Sequence, residues 1–329
     1  MNTDMYVLWV TDPWHSLDHT NDSTLRLIEE AFRAGFQTYW CDYKTIVFKN
    51  GVVLLETCKV VKVEAQRRSD DFIFSEALML SISNFDIIHF RVDPPINNAY
   101  RYPLQLLHMG IYLLRKQRQT KYPLILNPPQ QILLESEKLM QSIFKQHFPK
   151  TIVSSQWDQI YNFGSEEKKT VLKPIGGTQS IGVEVMEWNT GNQINANKKK
   201  LKTLTNAFTV PVLLQTYLKG IEKEEIRMWF VNGRLITSIR KIPKNNFIFN
   251  IDRGDILEPV KLDKVQMSIA KILTKHLREK SIFTAAIDLI DNKITDYNIT
   301  SPGLIVQIEK ISGINIAKII IEAHNSLPR

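Results

Sequence analysis

Cysteine is nearly absent from this chain, with only Cys41 and Cys58 among 329 residues. Two thiols make no disulfide framework, and they read as small core or strand residues in a reducing compartment. No apolar run is long enough to span a bilayer. The opening stretch, Met1 to Val10, lacks the basic region and small-residue cleavage site of a signal peptide and reads as a first buried strand. There is no internal repeat, low-complexity tract, zinc finger, RNP-type aromatic strand or basic helix. Nor is there a Ser-His-Asp or Cys-His arrangement, so covalent catalysis by a side chain is not expected. These absences predict a cytoplasmic globular protein without a membrane or nucleic-acid partner.

The net charge is +8, but the lysines and arginines are scattered. Small anionic ligands account for that better than a polyanion does. The one dense run, Asn197 to Lys202, reads as a solvated loop or helix start. With 43% hydrophobic and 23% charged residues, the composition is ordinary for a soluble domain of two or three parts.

The first third alternates strand and helix patterns. Tyr6–Val10, Gln37–Cys41, Phe85–Phe90 and Pro123–Asn127 read as strands, and Ala99 to Gln117 as a helix. Asn50-Gly51 marks a hairpin. The fold class expected is α/β: an open, mostly parallel sheet, followed by an α+β part. Open sheets of this kind bind ligands outside the carboxyl ends of their strands, where Arg91 and Asp93 fall. A loop salt bridge is the plain alternative.

Pro128-Pro129 and a helix near Ser136 to Leu139 mark a change of unit. Beyond them, Thr170 to Lys173 and Val183 to Met186 form two strands around a Gly-rich loop that includes Gly176 and Gly177. Such a loop offers backbone N–H groups to phosphate oxygens, and Lys173 at its start strengthens that reading. No Gly-Lys-Ser/Thr follows, so it is not a Walker A loop. Glu225 to Val231 and Leu235 to Pro243 read as a hairpin around Asn232-Gly233, which can present Arg227, Arg240 and Lys241. Helices are expected over Val265 to Lys280 and Ile314 to His324.

The most telling stretch runs from Phe283 to Pro302, two apolar strands that carry Asp288, Asp296 and Asn298. Carboxylates inside apolar strands are costly unless something cationic compensates them. Asp296 and Asn298 share a face because strand side chains alternate. A three-residue loop, Asp291-Asn292-Lys293, would put Asp288 opposite Asp296 on that face. An all-oxygen set of two carboxylates and an amide suits Mg²⁺ or Mn²⁺ better than zinc. A polar strand facing solvent is the alternative.

Several segments in order resemble the bacterial glutathione synthetases of the ATP-grasp superfamily. They are Thr11-Asp12-Pro13, Arg91-Val-Asp93-Pro-Pro95, Asn127-Pro-Pro-Gln130 with Glu137-Lys138-Leu139, Leu172-Lys173-Pro174, Gln215-Thr-Tyr217-Leu218, Ile226-Arg227 and Thr295-Asp296-Tyr-Asn298-Ile-Thr-Ser301-Pro302. The resemblance implies an N-terminal domain over residues 1–126, a central lid part over 127–205 and a C-terminal ATP-grasp domain over 206–329. It implies an ATP-dependent carboxylate–amine ligase joining γ-glutamylcysteine to glycine through an acyl phosphate. A paralogue for another amino acid or peptide, or a degenerate nucleotide-binding regulatory module, are the alternatives.

By the same resemblance, Lys138, Lys173, Gly176, Gly177, Gln215, Tyr217, Leu218 and Glu225 serve ATP. Asp288, Asp296 and Asn298 hold Mg²⁺ (or Mn²⁺), and Arg227, Lys241 and Arg253 act at the reacting centre. Asp12, Arg91, Asp93 and Ser301 fall on the substrate side. The partners implied are small-molecule substrates and a homo-oligomeric copy of the chain. The sequence departs from the family in the loop after Lys173-Pro174, in the segment 245–255, at Asp296 in place of Glu, and at Gly303 and Val306.

Overall fold

A computed structural model of the protein describes residues 5–64, 71–139, 143–176, 182–244 and 254–327. Gly177 and Arg253 lie outside the described residues. Eight strands make the first sheet: β1 (Tyr6–Thr11), β2 (Gln37–Asp42), β3 (Val47–Lys49), β4 (Val52–Val63), β5 (Phe72–Phe74), β6 (Leu78–Ser81), β7 (Ile87–Phe90) and β8 (Leu124–Leu126). The strand order is β3-β4-β2-β1-β7-β8, with β5 and β6 paired on β4. β2, β1, β7 and β8 run parallel. β4 and its partners extend this part antiparallel, through the Asn50-Gly51 turn. β1 and β7 are covered on both faces, which is why Val7 to Val10 is a continuous apolar run.

Helix α1 (Ser23–Arg33) starts where Asp22 accepts from the N–H groups of Thr24 and Leu25, at 2.6 and 3.0 Å. It ends before Gly35, whose φ of 85° a side chain would resist. Helix α2 (Asn98–Lys116), capped by Asn97, lies over the other face, and the short α3 (Pro129–Leu134) follows β8. The expected helix at Ser136 to Leu139 is a turn instead, because Glu137 and Lys138 are drawn inward as polar ties to the third sheet.

The second sheet is β11-β10-β12-β9, all antiparallel, from β9 (Thr151–Ser154), β10 (Lys169–Lys173), β11 (Glu184–Glu187) and β12 (Val212–Thr216). Helices α4 (Trp157–Glu167) and α5 (Gly191–Leu204) back it, with Ile160, Leu172, Trp188 and Leu201 in its core. The lysine run 198–202 is therefore inside a helix, its Thr190 capping box supplying the start.

The third sheet is β15-β14-β13-β16-β17, antiparallel, from β13 (Glu225–Val231), β14 (Arg234–Ile242), β15 (Ile256–Pro259), β16 (Thr284–Ile290) and β17 (Lys293–Asn298). Helix α6 (Lys264–Glu279) packs on one face. The expected closing helix over Ile314 to His324 is α8 (Ile316–Ala323), and a further helix that was not expected, α7 (Ile305–Ser312), precedes it and ends at Gly313 with φ 70°. They pack between α1 and the third sheet, so Trp9, Leu25, Trp229, Phe283 and Ile320 share one core. Asn127, just after β8, fastens the same junction. Its Nδ2 donates to the carbonyls of Thr284 and Ile299, both at 2.7 Å, and its Oδ1 accepts from the N–H groups of Phe283 and Thr284. One buried amide thus sets the β16–β17 hairpin of the third sheet against the first sheet.

Candidate active site

A cavity of about 710 Å³ opens between the sheets. It is lined at one end by Lys173, Tyr217 and Leu218, in the middle by Asp288, Asp296 and Asn298, and at the other end by Asp22, Thr24, Arg91 and Asp93.

The middle rests on the β16–β17 hairpin. Its turn has two residues, not three: Ile290 pairs with Lys293, and Asp291 and Asn292 take φ of 50° and 59°. These are the left-handed angles of a type I′ turn. A regular ladder from such a turn would send Asp288 to the wrong face. The register slips between Asp288 and Leu289, leaving Thr295 as an extra residue, and Asp288 comes to face Asp296 after all. The expected pairing holds, for a different reason than the loop length.

Asp288 is 2% exposed, and both of its oxygens accept hydrogen bonds. Arg227, directly opposite on β13, donates from Nε to Oδ1 at 2.7 Å and from Nη2 to Oδ2 at 2.6 Å. Lys241 on β14 reaches the same Oδ2 at 3.1 Å and also pairs with Glu225. Burial pushes the Asp288 carboxyl up, but Arg227 and Lys241 together outweigh it and hold it well below the usual carboxylate range. Burial likewise works against charge on Arg227, and Asp288 more than restores it. Glu225 is pushed up by its burial, with Lys241 opposing.

Asp296 pairs with Lys138, whose side chain is buried. Burial raises the Asp296 carboxyl, and Lys138 and then Lys173 pull it below its ordinary value. Asn298 donates from Nδ2 to the carbonyl of Ala286 at 2.9 Å, which leaves its Oδ1 as an acceptor on a cavity-lining residue. Glu137 pins the strand's end, accepting from the N–H groups of Ile299 and Thr300 at 2.6 and 2.8 Å. No sequence signal pointed to that role, nor to Asn127's.

Lys173 ends β10 and donates to the carbonyl of Thr295 at 2.6 Å, with no carboxylate in an ion pair among the described residues. Burial pushes its ammonium down to about 8. Gly176 follows in an open turn. Gln215 is buried on β12, and the Tyr217 hydroxyl donates to Glu222 at 2.9 Å while the Lys169 ammonium sits 4.0 Å from the ring centroid. The Gly220 N–H donates to Asp291 Oδ2 at 2.9 Å, joining the segment after β12 to the hairpin turn.

At the far end, Arg91 and Asp93 follow β7 at the carboxyl edge of the sheet, as expected. Asp12 does not line the cavity; its Oδ2 accepts from the Asp93 N–H at 2.8 Å and so sets that backbone. Ser301 does line it, with its hydroxyl on the Val92 carbonyl at 3.0 Å. Arg240 points away and pairs with Glu224 and Glu258. His89 is a core residue bonded to His324, and Trp157, Trp188 and Trp229 are packing residues.

Two antiparallel sheets that face each other across buried lysines and an acidic hairpin define the ATP-grasp ligases, enzymes that join a carboxylate to an amine at the expense of ATP. The prokaryotic glutathione synthetase profiles match this chain twice, the N-terminal domain over residues 5–133 and the ATP-grasp domain over residues 137–313. The chain belongs to the prokaryotic glutathione synthetase family. Glutathione synthetase of Buchnera aphidicola subsp. Baizongia pistaciae is 29% identical over 317 residues, covering 95% of this chain and 93% of the relative. Among solved structures, D-cycloserine synthetase DcsG superposes with a TM-score of 0.67 at 15% identity, covering 97% of this chain and 99% of that one. The ATP-grasp ligase PsnB, solved with a phosphomimetic precursor variant, Mg and ADP, superposes at 0.61 with 11% identity over 99% of both chains. Those two likenesses speak to the fold. No helix among the described residues is long and apolar enough to cross a membrane.

Proposed function

We propose that the protein joins γ-glutamylcysteine to glycine, with ATP cleaved to ADP and phosphate. The observation that carries the reading is the hairpin: three acids, Asp288, Asp296 and Glu225, meet three cations, Arg227, Lys241 and Lys138, on the cavity wall. Such a set is balanced before any ligand arrives, and it suits a site that must take both a cation and a polyphosphate.

The donor set fits a hard divalent cation. Asp288, Asp296 and the Oδ1 of Asn298 are oxygens on the cavity wall, and they would hold Mg²⁺ or Mn²⁺. When bound, the ion neutralises charge on the phosphate oxygens.

Lys173 and Lys138 take phosphate oxygens, and Gly176 and Gly177 are assigned to the same phosphates. Gln215 to Leu218 hold the base, and Glu225, tied to Lys241, serves the nucleotide with them. Arg227, Lys241 and Arg253 are the cations assigned to the reacting centre. A donor carboxylate oxygen attacks the γ-phosphorus, and the bond to the β-γ bridging oxygen breaks, releasing ADP. The glycine nitrogen then attacks the acyl carbon, phosphate leaves with the bonding pair, and the amine proton passes to phosphate or solvent. No protein nucleophile takes part, so catalysis is positioning and charge neutralisation in a site closed to water. In this reading the protein works in the cytoplasm on small molecules.

The test is glycine-dependent ADP release with γ-glutamylcysteine. Release that requires both substrates and a divalent cation supports the reading. ATP binding with no ADP release across a panel of amines and carboxylates would sink it, and release with another amine but not glycine would move the assignment to a different ligase.

A further inference from the structure

Gly220 stands where no backbone angle demands a glycine, since its φ is not positive. What the position lacks is room. A Cβ there would lie 2.1 Å from Oδ1 of Asp291 and 2.5 Å from its Cγ, closer than side chains approach. The bare backbone is what lets the Gly220 N–H reach Asp291 Oδ2 at 2.9 Å, from 71 residues away. Asp291 is exposed and opens the type I′ turn of the β16–β17 hairpin. One exposed hydrogen bond adds little to stability, so its worth lies in what it joins.

It joins the segment between β12 and β13 to the hairpin that carries Asp288 and Asp296. Two other bonds tie the hairpin to the second sheet's side: Lys293 Nζ to the Gln146 carbonyl at 2.8 Å and Lys173 Nζ to the Thr295 carbonyl at 2.6 Å. Both hang on long, flexible lysine side chains. The Asp291 bond runs from a short side chain to a backbone donor and fixes position more closely. The residues flanking it, Ile221 after Gly220 and Ile290 before Asp291, both line the cavity, as does Leu218. An apolar set of this kind suits a flat base rather than phosphates. Asp291 itself is not among the cavity-lining residues.

We propose that Asp291 is a positioning residue for the nucleotide base. By holding the Gly220 N–H it sets Leu218 and Ile221 against Ile290, and so fixes the width of the base slot. The inference rests on the reading of Gln215 to Leu218 as the segment that holds the base.

The test compares ADP with pyrophosphate, each with Mg²⁺, by calorimetric titration. The two share a diphosphate, and only ADP carries a base. The wild type should bind ADP more tightly by about 10-fold or more. Asp291→Gly keeps the turn, because glycine takes positive φ freely, and removes the acceptor. It should weaken ADP by about 5- to 10-fold, the worth of one hydrogen bond, and leave pyrophosphate unchanged. Asp291→Asn keeps both turn and acceptor and should stay within about 2-fold of wild type. Gly220→Ala should push the carboxylate aside and match Asp291→Gly. The double variant should be no worse than either single one, since clash and bond go together. In the ligase assay Asp291→Gly should raise KM for ATP and leave kcat at saturating ATP nearly unchanged. A dissociation constant does not depend on how much of a variant is folded.

An Asp291→Gly variant with wild-type ADP affinity overturns the proposal. So does one that loses the same factor on ADP and pyrophosphate, which is what a purely structural aspartate gives. Fully additive losses in the double variant would show that the two residues act separately, and overturn it too. A wild type that binds ADP no more tightly than pyrophosphate would fail at the nucleotide reading itself, before any variant is made, and takes the proposal with it.

Discussion

Arg227 and Asp288 face each other across neighbouring strands and share two hydrogen bonds, 2.7 and 2.6 Å long, with Asp288 2% exposed. The pair is structural, and on the proposed reaction it is functional as well. Removing the guanidinium leaves a buried carboxylate with Lys241 alone, a loss of about 3 to 5 kcal/mol for a broken buried pair. Arg227→Met should therefore lower the urea midpoint clearly. Adding Asp288→Asn to that variant should recover part of the loss, because the unpaired charge is gone. On the proposed reaction turnover should stay lost in both, since neither restores the cation assigned to the transferred phosphoryl group. Equal stability of Arg227→Met and wild type would show that the pair does not hold the sheet.

A second buried pair predicts acid lability. His89 and His324 meet Nε2 to Nε2 at 2.9 Å, and His324 stacks on Phe283. Burial pushes His324 down to about 3, and burial, then His324 and Arg91, push His89 well below its ordinary value. A histidine with a lowered folded pKa binds its proton mainly when unfolded. Its stabilising effect is full above about pH 6.5 and is lost as pH falls toward the folded value, with a slope of about 1.4 kcal/mol per pH unit for each histidine. Urea unfolding at pH values from 7.5 down to 4.5 should show this slope. His324→Phe, which keeps the stacking, should flatten it by about one proton. Parallel slopes for wild type and variant would count against the pair as the source.

Much of the site was readable from residue types. Acids inside apolar strands, a lysine ahead of a glycine-rich turn and an Arg-x-Asp after a strand all came to line one cavity. What escaped was register. The hairpin's turn chemistry at Asp291-Asn292 is local and visible, but the bulge at Thr295 that returns Asp288 to the Asp296 face has no local signature. The partners of Asp288 come from β13 and β14, more than 45 residues earlier, and long-range strand pairing leaves no periodic trace. Glu137 was expected on a helix. It sits in a turn because its carboxylate serves the N–H groups at the end of β17, a demand set by tertiary structure.

The second sheet depends on a close approach. A Cβ on Gly164 of α4 would lie 2.3 Å from Cε2 of Trp188, a buried indole held by its hydrogen bond to Thr170. The ring has nowhere to move, so Gly164→Ala should cost about 3 kcal/mol by overpacking. The loss should appear in tryptophan fluorescence during urea unfolding, and ATP affinity should fall with it because β10 carries Lys173. An unchanged midpoint would mean that α4 can slide off the sheet at little cost.

The acidic hairpin can be probed by metal binding alone. Asp296→Ala removes an expected ligand but also frees Lys138, so its effect must be read against Lys138→Met. Mn²⁺ binding in the presence of ADP, followed by electron paramagnetic resonance, should weaken at least 10-fold in Asp296→Ala. It should persist in Lys138→Met, whose carboxylates remain. Full Mg²⁺-dependent turnover in Asp296→Ala would remove the hairpin from the mechanism.

The two lysines proposed to hold the nucleotide should behave differently. Lys138 is already committed to Asp296, and its removal strands a carboxylate, so Lys138→Met should lower stability as well as ATP affinity. Among the described residues Lys173 donates to the Thr295 carbonyl alone, and burial disfavours its charge. Replacing such a lysine relieves a desolvated cation, so Lys173→Met should leave the urea midpoint unchanged or raise it. Its ATP affinity should fall by about 10- to 100-fold, the worth of one charge-assisted phosphate contact, as read by calorimetric titration. A Lys173→Met variant that is both less stable and normal in ATP binding would make Lys173 a structural residue and leave the phosphates to Lys138.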